Sequence, residues 1–250
     1  MFQEAINYPR NGDSAIKTIA IGGLLLFFSF LLVPAFIVLG YILRALRMVM
    51  DGEEELPEFS DWSELTVDGL KVFAIGFVYA LIPAIIAFVA VVASGASIGL
   101  GGDSAAGGLA AGLIFLVASL VLFVVSLALA YVLPAAVVAF AREDRIGAAF
   151  SVGELRPLLF SRTYATGWLV AFAISLLSAI VIGILNAVVI GVLAQIVAGA
   201  VAVTVLGLVF VPFISFYGNI ASAYAIGRGV EAADLPGEEP GESATGQPAV

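Results

Sequence analysis

Four long apolar stretches constrain this chain more than any other feature of its sequence. They run roughly over residues 16–46, 72–93, 109–140 and 165–226. Each is at least as long as the about 20 residues that one crossing of bilayer hydrocarbon requires. Only 12% of the residues are charged, against about 25% in soluble domains. The predicted fold class is therefore an all-α integral membrane protein, a bundle of transmembrane helices.

The first apolar stretch has two interpretations. A short hairpin turning near Pro34 gives six transmembrane segments and places all ten basic residues on one side of the membrane. A single tilted helix gives five segments and divides the basic residues eight to two. The arms of the hairpin would measure about 25 and 22 Å, short of the hydrocarbon thickness of about 30 Å. The positive-inside bias favours the hairpin and the six-segment bundle.

The same bias predicts the orientation of the chain in a cell membrane. Basic residues occur in and just before the acidic loop around residues 51–71 (Arg44, Arg47 and Lys71), in the Arg-rich loop around 142–162 and near the start of the C-terminal tail. These three segments are predicted to be cytoplasmic. The Gly-rich stretch 94–108 carries no basic residue and is predicted to be a flexible connector on the outside.

The last apolar stretch is too long for one helix across a bilayer, so it must turn back on itself. We place this turn between Gly191 and Gly199, on the outside. Residues 229–250 are acidic and rich in Pro and Gly, a composition typical of disorder. The predicted organisation is a membrane domain over residues 1–228 and an acidic, disordered cytoplasmic tail over 229–250.

The composition excludes much catalytic chemistry. The chain contains no Cys and no His, which removes thiol nucleophiles, imidazole acid–base catalysis and nitrogen or sulfur metal ligands. Within the apolar stretches the only ionisable residues other than Tyr are Lys17 and Arg44, at the two ends of the first. We therefore predict no enzyme activity, no catalytic, cofactor-binding or metal-binding residue and no cofactor. The net charge of −9 argues against nucleic-acid partners.

A few polar side chains lie inside the apolar stretches. Such residues usually join helices through hydrogen bonds, although they could instead line a substrate path. Four prolines at or inside these stretches are predicted to kink helices, which shapes a bundle or marks a transporter site. The candidate intramembrane polar residues are Tyr79, Tyr131, Asn186, Gln195 and Asn219, and the prolines are Pro34, Pro83, Pro134 and Pro212.

Other residues are candidates for the membrane interface. Spacing places Ile146, Ala149, Phe150 and Gly153 on one face of a short interfacial helix. In the acidic loop, Asp61 and Glu64 have the spacing of a capping box that starts a second amphipathic helix, and the loop's acids are predicted to form a solvated face. The candidate interfacial or lipid-contacting residues are Trp62, Arg142, Arg145, Arg156, Arg162 and Trp168.

Small residues recur at every fourth or eighth position late in the chain. Gly183, Ala187, Gly191, Gly199 and Gly207 form a column that lets helix backbones approach closely. The column predicts close helix packing, either between helices of one chain or between two copies of the protein. The expected partners are membrane lipids and, through such faces, a second copy or an unknown membrane protein.

Several sequence motifs are distinctive in combination. They are YPR at Tyr8, IGGLLL at Ile21, GYILRALR at Gly40, LPEFSDWSELTVDGLK at Leu56, YALIPA at Tyr79, YVLPAAVVAFAR at Tyr131 with AAF at Ala148, SRTYATGWL at Ser161 and VPFISFYGNIASAYAIGRG at Val211. Together these segments resemble a family of multi-pass membrane proteins of unknown function, domain-of-unknown-function family 4013. The resemblance implies an archaeal, halophilic, cell-membrane setting and supplies no activity or site residue. An acidic, Lys-poor composition independently suits a high-salt cytoplasm.

Three functions remain open from the sequence. The favoured one is a non-enzymatic structural or accessory component of the cell membrane. The alternative is a facilitator or transporter of a small neutral or apolar solute through the Pro-kinked helices. A membrane enzyme would require Arg142 or Arg145 to converge in a cleft with at least two acids of the first loop, namely Asp51, Glu58, Asp61, Glu64 and Asp68.

Overall fold

A computed structural model describes residues 1–12, 14–101, 104–193 and 199–233, with the side chains of 188–193 and 199–209 excepted. Within these ranges all regular structure is helical, which confirms the predicted all-α class. The helices are α1 (Phe2–Asn7), α2 (Ala15–Phe27), α3 (Val33–Met50), α4 (Trp62–Gly101), α5 (Ala105–Glu143), α6 (Val152–Leu159), α7 (Arg162–Leu193) and α8 (Gly199–Glu231). Three 3₁₀ turns occur at Tyr8–Arg10, Ser29–Leu31 and Ile146–Phe150.

The first apolar stretch is broken where the hairpin interpretation places its turn. The 3₁₀ turn Ser29–Leu31 and Leu32, with a φ of 65°, separate α2 from α3. Pro34 lies in the first turn of α3, where its missing N–H has no helical partner to lose. The other three predicted prolines lie inside long helices: Pro83 in α4, Pro134 in α5 and Pro212 in α8.

Contacts between helices fix their directions. Helices α2 and α8 are antiparallel, because Gly22 contacts Phe216 and Gly23 contacts Phe213. Helix α3 runs the opposite way and packs against α4 and α8. The pairs α4–α5 and α7–α8 form two further antiparallel hairpins, and α3 contacts a helix of each. We call the end of the bundle that carries residues 51–61 and 144–161 the loop end.

Glycines mark the closest helix contacts. A Cβ added to Gly40 of α3 would overlap the carbonyl oxygen of Leu65, and one added to Gly69 of α4 would overlap that of Phe36. Backbones this close need residues without side chains. In the predicted small-residue column, by contrast, Gly183 faces open space and Ala187 is exposed. The surroundings of Gly191, Gly199 and Gly207 lie outside the description.

Among the described side chains, the buried core is concentrated toward the loop end, while the far halves of α4 and α5 are largely exposed. Four described helical segments are long and apolar enough to cross a bilayer: α3, α4, α5 and Arg162–Ala187 of α7. In the most apolar 18-residue stretch of α5, no residue is buried in the protein. In the corresponding stretch of α4, 6% of the residues are buried. Long apolar helices with uncovered surfaces are what lipid hydrocarbon requires, because a helix satisfies its own backbone groups.

Some connecting segments differ from the sequence prediction. The described residues of the Gly-rich stretch 94–108 are largely helical, where a flexible connector was predicted: α4 continues to Gly101 and α5 begins at Ala105, while residues 102 and 103 lie outside the description. Gly101 and Gly107 bring the two backbones together, and the Ser104 hydroxyl accepts a hydrogen bond from the Gly107 N–H at 3.2 Å. The predicted helix around residues 146–153 is a 3₁₀ turn followed by α6, so its four residues do not share one helical face.

The turn and tail predicted for the C-terminal part lie partly outside the description. Helix α7 ends at Leu193 and α8 begins at Gly199. The predicted turn falls on residues 194–198, which are not among the described residues. Helix α8 extends to Glu231, three residues into the segment predicted to be the tail. The tail from residue 234 onward, and Gln195 in the turn, are not among the described residues.

Candidate functional site: a charged cluster at the loop end

The acidic loop between α3 and α4 is held by hydrogen bonds to its backbone. The hydroxyl of buried Tyr41 donates to the Pro57 carbonyl at 2.8 Å, and that of Tyr8 donates to the Glu55 carbonyl at 3.1 Å. The Arg44 guanidinium donates to the Ser60 carbonyl at 3.0 Å. Fixing the backbone in this way leaves the acidic side chains of residues 53–55 exposed, as predicted for a solvated face.

Burial keeps the Tyr8 phenol neutral in this position. The ring stacks on Tyr224 at a centroid distance of 4.6 Å and is fully buried. Loss of solvent raises the pKa of Tyr8, and the proximity of Tyr224 and Glu53 raises it further. Tyr8 therefore remains a hydrogen-bond donor to the acidic loop at any physiological pH.

One acid of this region is not solvated: Asp68 lies inside a cluster of charges between α3, α4 and the end of α5. Its carboxylate accepts from Arg47 at 2.8 Å and from Lys71 at 3.0 Å, and only 12% of its side chain is exposed. Arg47 also contacts Asp144 at 3.1 Å, immediately after α5. The Phe140 ring lies within 6 Å of both cations. The solvated-face prediction is therefore wrong for Asp68, since α3 and α5 cover it.

Two polar cavities of about 510 and 520 Å³ flank this cluster. The first brings Asp51 and Arg142 together with Glu143 and Glu231. The second contains Asp61, Glu64, Asp68, Lys71 and Asp144. Of the five acids that the enzyme hypothesis names, Asp51 lines the first cavity and Asp61, Glu64 and Asp68 line the second, while Glu58 is not among the lining residues of either. Between the two cavities, Asp68 and Asp144 are paired with Arg47 and Lys71.

Three aromatic residues of the apolar stretches fasten the Arg-rich segment and neighbouring helices. The Tyr79 hydroxyl of α4 donates to the Ala149 carbonyl at 2.7 Å, and the Tyr131 hydroxyl of α5 donates to Leu159 at 2.7 Å. The Trp168 indole of α7 donates to the Ala130 carbonyl at 2.7 Å. Ala149 lies in a 3₁₀ turn and Leu159 at the end of α6, where carbonyls lack helical partners. The Ala130 carbonyl lies inside α5 and lacks its helical donor because residue 134 is Pro.

The other polar candidates are dispersed. Asn186 of α7 and Asn219 of α8 are exposed on helix surfaces and do not meet Tyr79 or Tyr131 in any described contact. Trp62 is half-exposed at the start of α4, with its ring 5.7 Å from Phe59.

The arginine candidates lie on the surface of the loop end. Arg145 pairs with Glu143 at 3.0 Å. Arg142 lines the first cavity, and Arg156 in α6 and Arg162 at the start of α7 are exposed. No described contact joins Arg145, Arg156 or Arg162 to the cluster around Asp68.

The residues of the charged cluster are largely ones that sequence reasoning did not select. The spacing of Asp68 and Lys71 on one helix is the available signal, because residues three apart are neighbours on a helix surface. Arg47 and Asp144 are 21 and 76 residues from Asp68 and join it only through the fold.

A further cavity lies on the bare half of the α4–α5 hairpin. This groove of about 540 Å³ is formed between residues 85–93 of α4 and 113–121 of α5. All of its lining side chains are apolar, from Ile85 at one end to Val121 at the other. A groove of this composition fits a hydrocarbon chain or apolar solute better than a polar ligand.

Fold and site together define a helical protein of the membrane-embedded class, in which polar side chains at the loop end tie segments to one another. A family model described as "Protein of unknown function (DUF4013)" matches residues 27–187, from the end of α2 into α7 and including the whole charged cluster. The chain belongs to this family. No curated protein and no solved structure matches it.

Proposed function

We propose that this protein is a non-enzymatic structural or accessory component of the cell membrane. The observation that carries the proposal is the use of its polar side chains. Tyr79, Tyr131 and Trp168 donate hydrogen bonds to backbone carbonyls of the chain itself. Arg47 and Lys71 both pair with Asp68. Groups committed to internal bonds stabilise an assembly and are not free for acid–base or transport chemistry.

The proposed arrangement has six helical segments in the membrane domain: α2, α3, α4, α5, α7 and α8. The loop end and residues 229–250 are cytoplasmic. Support comes from the positive-inside bias and from the N-terminal segment, which contacts both the acidic loop and α8 at the loop end. In this arrangement Trp62, Arg156, Arg162 and Trp168 lie at the level of the headgroups.

The proposed setting is a halophilic archaeal cell. Nineteen acidic residues against ten basic ones give a surface that remains hydrated at high salt, where its self-repulsion is screened. The exposed acids of the loop at residues 53–55 are the densest part of that surface.

Lipids are the proposed partners of the bare helices, together with a second copy or another membrane protein at small-residue faces. Gly76 of α4 and Gly183 of α7 support the latter, since a Cβ on either would meet nothing within 4 Å. Native mass spectrometry of the protein released from nanodiscs tests this. We expect the protein to be a dimer that Gly183→Leu dissociates. The control Gly147→Leu, in the loop end, should leave the dimer intact. A protein that is monomeric with and without these substitutions would remove self-association from the proposal.

A facilitator of small apolar solutes is the second candidate, because of the apolar groove on the α4–α5 hairpin. Proteoliposome flux separates the two functions. We expect solute entry at the rate of protein-free vesicles. Entry that rises with protein content and falls when Ala90→Phe fills the groove would replace the structural proposal with the facilitator.

A further inference from the structure

The hairpin formed by α2 and α3 ends in an exposed apolar tip. Phe30, Leu31 and Leu32 are 71%, 58% and 61% exposed, and Phe28 and Val33 beside them are exposed as well. A contiguous patch of this kind is unfavourable in water and indicates contact with an apolar phase. The tip contains one polar side chain, Ser29, between its large apolar residues.

The hairpin is also short. Helix α2 has 13 residues, about 20 Å at 1.5 Å per residue, against a hydrocarbon thickness of about 30 Å.

Contacts with α4 measure how far the tip reaches. Helix α3 runs antiparallel to α4: Gly40 lies against Leu65, Phe36 lies against Gly69, and the Phe36 ring is 5.3 Å from that of Phe73. The tip is therefore beside the Phe73 region. Helix α4 continues for 28 residues beyond Phe73, about 42 Å. Even a tilt of about 40° leaves about 32 Å of that length along the membrane normal.

Contacts with α8 lead to the same conclusion. Gly23 of α2 lies against Phe213, from which α8 extends 14 residues to Gly199, about 21 Å. Helix α2 extends only four residues beyond Gly23, about 6 Å. The hairpin thus ends well before either neighbouring helix reaches its far end.

Burial separates α3 from the helices that face lipid. In its most apolar 18-residue stretch 44% of the residues are buried in the protein, against 6% in α4 and 0% in α5. Helix α3 is enclosed by protein along much of its length. The exposed apolar residues of the hairpin are those of the tip and of one face of α2, which includes Ile16 and Leu24.

We infer that α2 and α3 form a re-entrant hairpin, which enters the bilayer from the cytoplasmic face and returns to it without crossing. Its tip, Phe28–Val33, inserts among the lipid acyl chains of the cytoplasmic leaflet. Helices α4, α5, α7 and α8 are the four crossings. The inference rests on the proposed membrane embedding and changes two of its six segments from crossings to insertions. Both arrangements keep the N-terminus cytoplasmic, so the side of the N-terminus does not distinguish them.

Single-cysteine labelling tests the inference directly, because the chain has no Cys of its own. Three full-length variants place the probe at the tip (Leu31→Cys), in the acidic loop (Glu54→Cys) and at the start of α5 (Ala105→Cys). A membrane-impermeant maleimide is applied to right-side-out and to inverted vesicles. We expect Glu54→Cys to react only in inverted vesicles, Ala105→Cys only in right-side-out ones, and Leu31→Cys in neither until detergent is added.

The other outcomes are distinct. Reaction of Leu31→Cys from the same side as Ala105→Cys would establish six crossings and overturn the inference. Reaction from the side of Glu54→Cys would place the tip in water and overturn it as well. Reaction of Glu54→Cys and Ala105→Cys from one side would show that the proposed membrane arrangement itself has failed.

A depth measurement completes the test. A nitroxide on Leu31→Cys, or on Phe30→Cys if the first variant does not fold, should be accessible to oxygen and sit in the cytoplasmic leaflet. A probe at the opposite headgroups, or one inaccessible to oxygen because protein covers it, would contradict the inference.

Discussion

The carboxylate of Asp68 lies 2.8 Å from the guanidinium of Arg47, which is 21 residues earlier in the chain. The pair joins α4 to α3, and Lys71 and Asp144 extend it to the end of α5. Asp68 is nearly buried, while its two cationic partners are 27% and 31% exposed. Replacing the buried carboxylate of Asp68 by an uncharged amide removes the partner that its two cations share. This costs more stability than the loss of a surface ion pair.

We expect Asp68→Asn to lower stability by about 1–3 kcal/mol, a value discounted for the exposure of Arg47 and Lys71. At about 2–4 °C per kcal/mol for a chain of this size, the melting temperature in detergent should fall measurably. Glu64→Gln is the matched control, since Glu64 pairs with Arg44 at 3.3 Å and its side chain is 65% exposed. If the two variants lower the melting temperature by the same amount, the pairing of Asp68 contributes no more to stability than the exposed pair of Glu64, and the prediction is wrong.

Gly69→Ala should be strongly destabilising, because its Cβ would overlap the carbonyl oxygen of Phe36 and force α3 and α4 apart. Overpacking of this kind costs about 1–3 kcal/mol. Gly76→Ala lies on the same helix, where a Cβ meets nothing within 4 Å. It should be neutral or stabilise the helix by up to about 1 kcal/mol. Thermal unfolding of both variants checks the prediction, which fails if Gly69→Ala unfolds at the wild-type temperature.

Removing the hydroxyl of Tyr79 or Tyr131 should loosen the Arg-rich segment locally. Each Tyr→Phe change deletes one hydrogen bond, worth about 1 kcal/mol, without altering the helix. Hydrogen exchange should accelerate around Ala149 in Tyr79→Phe and around Leu159 in Tyr131→Phe. Each variant is the control for the other. If hydrogen exchange accelerated at both sites in each variant, or at neither, the two hydrogen bonds would not hold the segment independently of each other.

Stability should rise with salt. Net charge −9 makes the folded protein repel itself at low ionic strength, and this repulsion is screened within about 3 Å at 1 M salt. We expect the melting temperature to increase between 0.1 and 2 M KCl. Replacing Glu53, Glu54 and Glu55 by Gln should flatten this dependence. A decrease in melting temperature with salt, or an unchanged slope in the triple variant, would count against the halophilic setting.

Much of the fold followed from local pattern. Apolar stretches of the observed length predict helices because the bilayer requires internally satisfied backbones, and the distribution of basic residues favoured the hairpin that turns near Pro34. The helical course of α4 through the Gly-rich stretch to Gly101 did not follow from composition, and Gly101 and Gly107 bring the two backbones together there. Propensity describes an isolated segment, and close backbone packing overrides it.

The sequence by itself determined that the chain is helical and apolar enough for a membrane, and which catalytic chemistry it lacks, because these depend on residue types and their period. Only the tertiary structure decided that Asp68 is buried between Arg47 and Lys71 and that Tyr79 and Tyr131 bond to the Arg-rich segment. It also decided how far the α2–α3 hairpin reaches. Those facts depend on which helices lie side by side and at what height, and partners such as Arg47 and Asp144, 97 residues apart, leave no local signal of their meeting.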